Sequence, residues 1–331
     1  MPTDRPILAP APGLEPESPT GQPIPLTLLT GFLGAGKTTL LNWILSGDHG
    51  LRIGVLVNDF GAVNIDAALV DSIEENTISL SNGCVCCEIR DDLVTSLGSM
   101  LDRRGDIEYL VLEASGVADP AGIVMTLLDA RYRRMLRIDS ITCVIDAEAI
   151  FADADDEPLT ALKLRQIAFA DLVVLNKSDL VSTAHLDVVK DWIDLHLKRI
   201  RVVPVTNARV PLEVLLGAGR FQLAQTSAAG NPSEDATHLF ERWSYRTQQP
   251  FDRQQLERMV KRKLPGSVYR CKGIVYTDNC PDPLVLQVVG RRCDLTPLDR
   301  PQPNDRHSQI VAIGRSLDAP ALDALFADCH R

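Results

Sequence analysis

Gly31-Phe32-Leu33-Gly34-Ala35-Gly36-Lys37-Thr38 fits the pattern GxxxxGK[ST] in full. Leu26–Thr30 before it reads as a strand, and Thr39-Leu40-Leu41 after it opens a helix. A phosphate-binding loop needs both neighbours. Its glycines let backbone N–H groups converge on a β-phosphate at a helix N-terminus, where the helix dipole favours an anion. In such a loop Lys37 bridges the β- and γ-phosphates and the Thr38 hydroxyl holds Mg²⁺. Gly31, Gly34, Ala35, Gly36, Lys37, Thr38 and Thr39 are therefore the expected nucleotide contacts.

From Pro25 onward, short β-branched or leucine-rich runs alternate with helical patterns, as in βαβ units around a mostly parallel sheet. The clearest strands are 25–30, 52–57, 107–112, 140–146, 171–175 and 201–205, and helical stretches follow most of them, for example 37–46, 89–103 and 184–199. The expected fold class is α/β, a P-loop NTPase domain over residues 24–224. Residues 1–23 are proline-rich without hydrophobic periodicity and read as a disordered leader. The small, polar stretch 225–238 reads as a linker. Beyond it, alternating segments at 240–246, 268–276, 284–289 and 309–313, with helices near 252–263 and 318–328, predict a small α+β domain over 239–331.

Asn176-Lys177-Ser178-Asp179 follows the strand Leu172–Leu175. An Asp179 carboxylate can accept from guanine N1–H and the 2-amino group together. Adenine lacks that donor pair, and a buried acceptor left unpaired costs about 1–3 kcal/mol, so the motif selects GTP over ATP. Asn176 is expected to tie this segment to the phosphate loop, with Lys177 beside it. Asn207, in Thr206-Asn207-Ala208, marks either a second base-contacting loop or a plain turn. Glu113-Ala114-Ser115-Gly116 ends the strand Tyr109–Leu112, where GTPases carry an acid near Mg²⁺ and a glycine whose N–H reaches the γ-phosphate. Lys37, Glu113 and Gly116 are thus the expected catalytic set. Hydrolysis should be slow, because the sequence offers no evident arginine finger or catalytic glutamine. Asn58-Asp59-Phe60-Gly61 ends the second strand and is either a γ-phosphate-sensing loop, with Asp59 near a metal, or a simple turn.

The formal charge is −10, from 34 Lys+Arg against 44 Asp+Glu, which disfavours nonspecific nucleic-acid binding. Arg131, Arg133, Arg134 and Arg137 read as one solvated helix face. No run approaches the roughly 20 apolar residues of a membrane span, and the N-terminus lacks a secretory pattern; the expected compartment is the cytosol. Of eight cysteines, Cys84, Cys86 and Cys87 fall within four residues, a clustering that suits metal or thiol chemistry in a reducing compartment. Thiols this close, near helix-start amides, should have lowered pKa values and bind a thiophilic divalent ion as thiolates. In an extended turn Cys84 and Cys86 point one way and Cys87 the other, so two or three sulfurs plus an outside ligand are expected. A structural zinc knuckle or inert buried thiols is the alternative. The tail pair Cys329-His330 reads as a frayed end rather than an ion site.

Taken together, GFLGAGKTTLLN, VNDFG, LSNGCVCCEIRDDL, EASGVADP and NKSD, in that order, resemble the CobW-type P-loop GTPases, also called metal-chaperone GTPases. The resemblance is close over 25 to about 210 and looser at Tyr269–Gly273 and Ile310–Arg315. It implies a GTPase that carries Zn²⁺, Co²⁺ or a similar ion on Cys84, Cys86 and Cys87 and delivers it to a client protein or pathway. Members include cobalt handlers for cobalamin synthesis, zinc-homeostasis proteins and activators of metalloenzymes such as nitrile hydratase. Here Asp59 stands where the family usually has Glu, the acidic motif reads Glu-Ala-Ser-Gly, and six histidines are scattered rather than gathered into a metal-loading tract. A regulatory GTPase with only a structural zinc, or a metal-storage or sensing module, stays open beside the delivery reading. The ion, the client and whether the chain forms a homodimer are not fixed by these residues.

Overall fold

β1 (Ile24–Thr30) is buried along nearly its whole length, the pattern of a strand covered on both faces in a parallel sheet. In the computed structural model it lies at the centre of seven strands. The others are β2 (Ile53–Asn58), β3 (Thr77–Leu80), β4 (Tyr109–Glu113), β5 (Leu136–Asp146), β6 (Leu172–Asn176) and β7 (Arg201–Pro204). Their order is β3-β2-β4-β1-β5-β6-β7, and every pairing is parallel. The structure describes residues 23–58, 77–80, 97, 107–130, 132–133, 135–152, 154–197, 200–217, 240–290, 292–298 and 306–330, with Asn58 and 77–80 described by backbone only. The expected leader up to residue 22, the linker, the Asp59 loop, the Cys84–Cys87 turn and all of the 89–103 helix except the helical, buried Leu97 lie outside these residues.

Among the described residues five helices belong to this layer: α1 (Lys37–Ser46), α2 (Pro120–Leu127), α3 (Glu157–Ala168), α4 (Thr183–His196) and the one-turn α5 (Leu212–Leu215). Alternate residues of the strands serve opposite faces. Leu29 and Val111 join Leu40, Leu41 and Ile44 of α1 on one side, while Leu28, Leu110 and Leu112 join Ile123 and Leu127 of α2 on the other. Ile167, Val189 and Ile193 extend a second apolar layer over β5 and β6. From β1 the chain moves one way to β2 and β4, then crosses to the other side for β5, β6 and β7. Ligands of open parallel sheets bind outside the carboxyl ends of the strands at such a reversal.

The second sheet has the order β11-β10-β9-β12-β8 and is antiparallel throughout. Its strands are β8 (Glu241–Thr247), β9 (Val268–Thr277), β10 (Cys280–Val289), β11 (Arg292–Pro297) and β12 (Ser308–Gly314). α6 (Arg253–Arg262) and α7 (Ala319–Ala327) cover one face, packing Leu256, Met259, Leu322 and Phe326 onto Trp243, Cys271, Leu286 and Ile310. The two sheets meet away from the carboxyl ends of the parallel strands. There the Arg270 Nη2 donates to Asp139 Oδ2 at 2.7 Å, both residues almost fully buried, and the Tyr109 hydroxyl donates to the same oxygen at 2.7 Å.

Three expectations change. Arg137 lies inside β5 and donates to Asp139 Oδ1 and Gln287 Oε1, so it is not on a solvated helix face. β11 was not foreseen, because Arg-Cys-Asp-Leu-Thr-Pro carries little apolar alternation. The C-terminal Cys329-His330 is not frayed. Cys329 is 2% exposed, the His330 ring stacks on Phe251 at 4.3 Å, and its nitrogens sit 3.0 Å from the Tyr245 hydroxyl and 3.3 Å from the Pro250 carbonyl. Among the described residues no helix is long and apolar enough to cross a membrane.

Candidate functional site

β1 leaves the sheet at Gly31, hard against the Val144 backbone of β5, and the loop 31–36 turns directly into α1. The Asp or Ser caps before α2, α3, α4, α6 and α7 each accept from a backbone N–H of their helix. α1 differs, because its cap is Gly36 at φ +104° and offers no side chain. The first amides of α1 are thus left for a ligand, at the end where the dipole favours negative charge. Only a glycine fits at 36, since a Cβ there would stand 2.4 Å from Asn176 Nδ2.

Four of the expected residues meet around this turn. The Lys37 Nζ, 8% exposed as a residue, donates to the Phe32 carbonyl at 3.2 Å and so folds back over its own loop. The Thr38 hydroxyl donates to Glu113 Oε1 at 3.0 Å, joining the start of α1 to the end of β4. A hydroxyl and a carboxylate oxygen so disposed form the donor set that a hard divalent cation prefers. Gly116 packs against the loop so closely that a Cβ would lie 2.8 Å from the Leu33 backbone nitrogen.

A second group faces the loop from β6. Asn176 is buried, its amide nitrogen donating to the Ala35 carbonyl at 3.0 Å and its amide oxygen accepting from Ala208 N at 2.8 Å. The phosphate loop and the 206–208 turn are thereby held by one side chain. Lys177 takes a left-handed backbone conformation, φ +58°, and its ammonium pairs with Asp146 Oδ2 at 2.6 Å. Asn207 and Ala208 are also left-handed. Asp179 lies exposed in a short 3₁₀ turn, Ser178–Leu180.

Sequence reasoning missed three residues here. Asp146 ends β5 and also accepts from the amides of Glu148 and Ala149, which fixes it for Lys177. An acid at the carboxyl end of a strand beside the reversal was the available signal. Lys163 and Gln166, buried on α3, bond to backbone carbonyls of neighbouring loops and carry no motif. The Cys143 thiol beneath the loop is pushed up to about 12 by desolvation, against the pull of Lys37, so it stays protonated. Among the described residues no group of three His, Cys, Asp or Glu is poised to hold a metal.

A seven-stranded parallel sheet with a glycine-capped helix after its central strand defines a P-loop nucleotide-binding protein of the α/β class. Residues 25–204 match the CobW/HypB/UreG nucleotide-binding domain, and residues 240–330 match the cobalamin synthesis protein cobW C-terminal domain. The chain belongs to the CobW/HypB/UreG family. It is 32% identical to the zinc chaperone YjiA of Escherichia coli K12 over 93% of this chain and 99% of that one. It is 30% identical to zinc-regulated GTPase metalloprotein activator 1 of Dictyostelium discoideum over 78% of this chain, spanning 64% of that relative's length. A crystal structure of a Zn(II)-bound triple mutant of the YjiA GTPase overlaps with a TM-score of 0.46 at 26% identity, covering 94% of this chain and 100% of that one.

Proposed function

We propose that this protein is a GTP-dependent metallochaperone. It binds a thiophilic divalent ion, Zn²⁺ before Co²⁺, and hands it to a client metalloprotein in the cytosol, with GTP hydrolysis setting the moment of release. The two relatives named for zinc support the choice of ion, and the clustered thiols fit a reducing compartment. In this reading the amides of Gly34, Gly36, Lys37 and Thr38 hold the β-phosphate and Lys37 reaches the γ-phosphate. Gly116 N–H senses the γ-phosphate, and Asp179 reads guanine while Asn176, Lys177 and Asn207 shape the base pocket. Thr38 and Glu113 fit a Mg²⁺ ion, which when bound would neutralise phosphate charge. Cys84, Cys86 and Cys87 hold the cargo, and Asp59 belongs to the switch.

One observation carries the coupling. In the sheet register Leu80 pairs with Asn58 and Val57 pairs with Glu113, so β3, β2 and β4 end side by side. The chain that leaves β3 toward Cys84 therefore starts two strands from Glu113, about 10 Å at the usual strand spacing. The Asp59 segment leaves from the strand between them. A nucleotide that orders the end of β4 acts on the neighbours that carry the cysteines, and loss of the γ-phosphate releases them.

Linkage makes the effect reciprocal, so bound metal must tighten the triphosphate by the same factor. Competition titrations of Zn²⁺ and Co²⁺ against a chelator, with GDP and with a nonhydrolysable GTP analogue, are expected to differ by about 5- to 150-fold. The variant Cys86→Ser should stay folded, keep GTP binding and lose that difference. Equal metal affinity in both nucleotide states would overturn the delivery mechanism.

A further inference from the structure

α3 lies behind both the phosphate loop and the Gly116 turn, and its buried residues include two polar ones, Lys163 and Gln166, beside the apolar Ile167. Gln166 is 1% exposed, and its amide Nε2 donates to the carbonyls of Gly116 and Ala118, each at 3.1 Å. One helical turn earlier, Lys163 donates to the carbonyls of Ile150 and Ala152, with its ammonium 5.3 Å from the centre of the Phe32 ring. Arg165 on the same helix pairs with Asp119 at 3.2 Å, the cap residue of α2. Phe32, Leu33, Lys163 and Gln166 line one cavity beneath the loop. A single helix therefore grips the phosphate loop at Phe32 and the Gly116 turn at both ends.

We infer that Gln166 is a positioning residue for γ-phosphate recognition, fixing the Gly116–Ala118 turn, itself closed by Ala118 N–H donating to the Ser115 carbonyl, so that the adjoining Ser115–Gly116 peptide presents its N–H to the terminal phosphate. The inference rests on the proposed role of Gly116. Two donors on one planar amide bind two carbonyls two residues apart, so the chain between them has little freedom to rotate. Burial keeps water from replacing either bond. The entropy of fixing the turn is met when the chain folds rather than when nucleotide arrives, which raises affinity for the ligand that uses the fixed donor. GDP, held by the phosphate loop alone, gains nothing from it. The glutamine does not touch the reacting atoms, and its effect must therefore fall on the triphosphate alone.

The test compares GDP and a nonhydrolysable GTP analogue, both with Mg²⁺, on the full-length chain and on Gln166→Met, which keeps length and volume but has no donor. Gln166→Asn, with the amide drawn back by one methylene, serves if the methionine variant does not fold. Hydrogen exchange over residues 114–119 is followed in each state. In the wild type the analogue should bind more tightly than GDP and slow exchange in that segment. In the variant, GDP affinity should stay within about twofold, while analogue affinity falls about tenfold and the added protection disappears. Equal losses for both nucleotides, or an unchanged analogue affinity, would reduce Gln166 to a structural role and overturn the inference. A wild type that makes no distinction between the nucleotides would instead remove the role of Gly116, and the inference with it.

Discussion

Asn176 uses both ends of its amide on loops that belong to different parts of the sequence, Ala35 and Ala208. Asn176→Asp keeps the oxygen that accepts from Ala208 but sets a second oxygen against the Ala35 carbonyl. The variant loses one buried bond and gains a repulsion at the phosphate loop, a change of about 1.4 kcal/mol or more. Nucleotide affinity, for GDP and GTP alike, should fall at least about tenfold in a fluorescent-nucleotide titration. Affinity equal to the wild type would mean that the amide does not hold the loop. This tie was legible in the sequence, because the spacing of Asn176 after the phosphate loop and its place at a strand end sufficed. Asp146 was not, although it clamps Lys177, because a lone acid after a β-rich run has many other uses.

At the scale of elements, the phosphate loop is the junction of β1 and α1, and its geometry rests on Gly36. Gly36→Ala asks an L-residue to hold φ +104° with its Cβ 2.4 Å from Asn176 Nδ2. The strain, about 1–3 kcal/mol, is relieved only if the loop moves off Asn176 and away from the start of α1. The expected result is a folded protein whose melting temperature no longer rises on adding GDP. A thermal shift as large as that of the wild type would show the loop tolerates a side chain. The parallel strands were readable because burial on both faces leaves nearly continuous apolar runs; β5 begins four residues earlier than expected, since Arg137 and Asp139 are polar residues paired inside it. The bounds of α3 were harder to read for a related reason. Its inward residues include Lys163 and Gln166, which serve carbonyls rather than the core, and the apolar period that marks a helix is broken there.

Across the whole molecule, the two sheets are joined by a buried polar seam that no sequence pattern announces, since its partners are 131 residues apart in the case of Arg270 and Asp139. Desolvation alone would raise the Asp139 carboxyl, but Arg270, the Tyr109 hydroxyl and Arg137 outweigh it and hold it at about 2. Lys272 of β9 enters the same seam and donates to the Leu216 carbonyl at 3.4 Å. Its ammonium is pushed down to about 7, by desolvation first and then by Arg270 and Arg137, with Asp139 and Glu213 pulling the other way. Because the folded value lies below the 10.5 of an ordinary lysine, the unfolded chain binds more protons between pH 7 and 10.5 than the native seam does. The contribution of Lys272 to stability therefore rises with pH across that window, and below pH 7 the cost of the buried charge is fully present. Urea unfolding of the wild type should gain roughly 2 kcal/mol from pH 7 to 9 relative to Lys272→Met, which has no proton to lose. The variant should in turn be the more stable protein at pH 6. If both proteins change in parallel with pH, Lys272 is charged in the native seam throughout, and the two sheets are held there by ion pairs that include it.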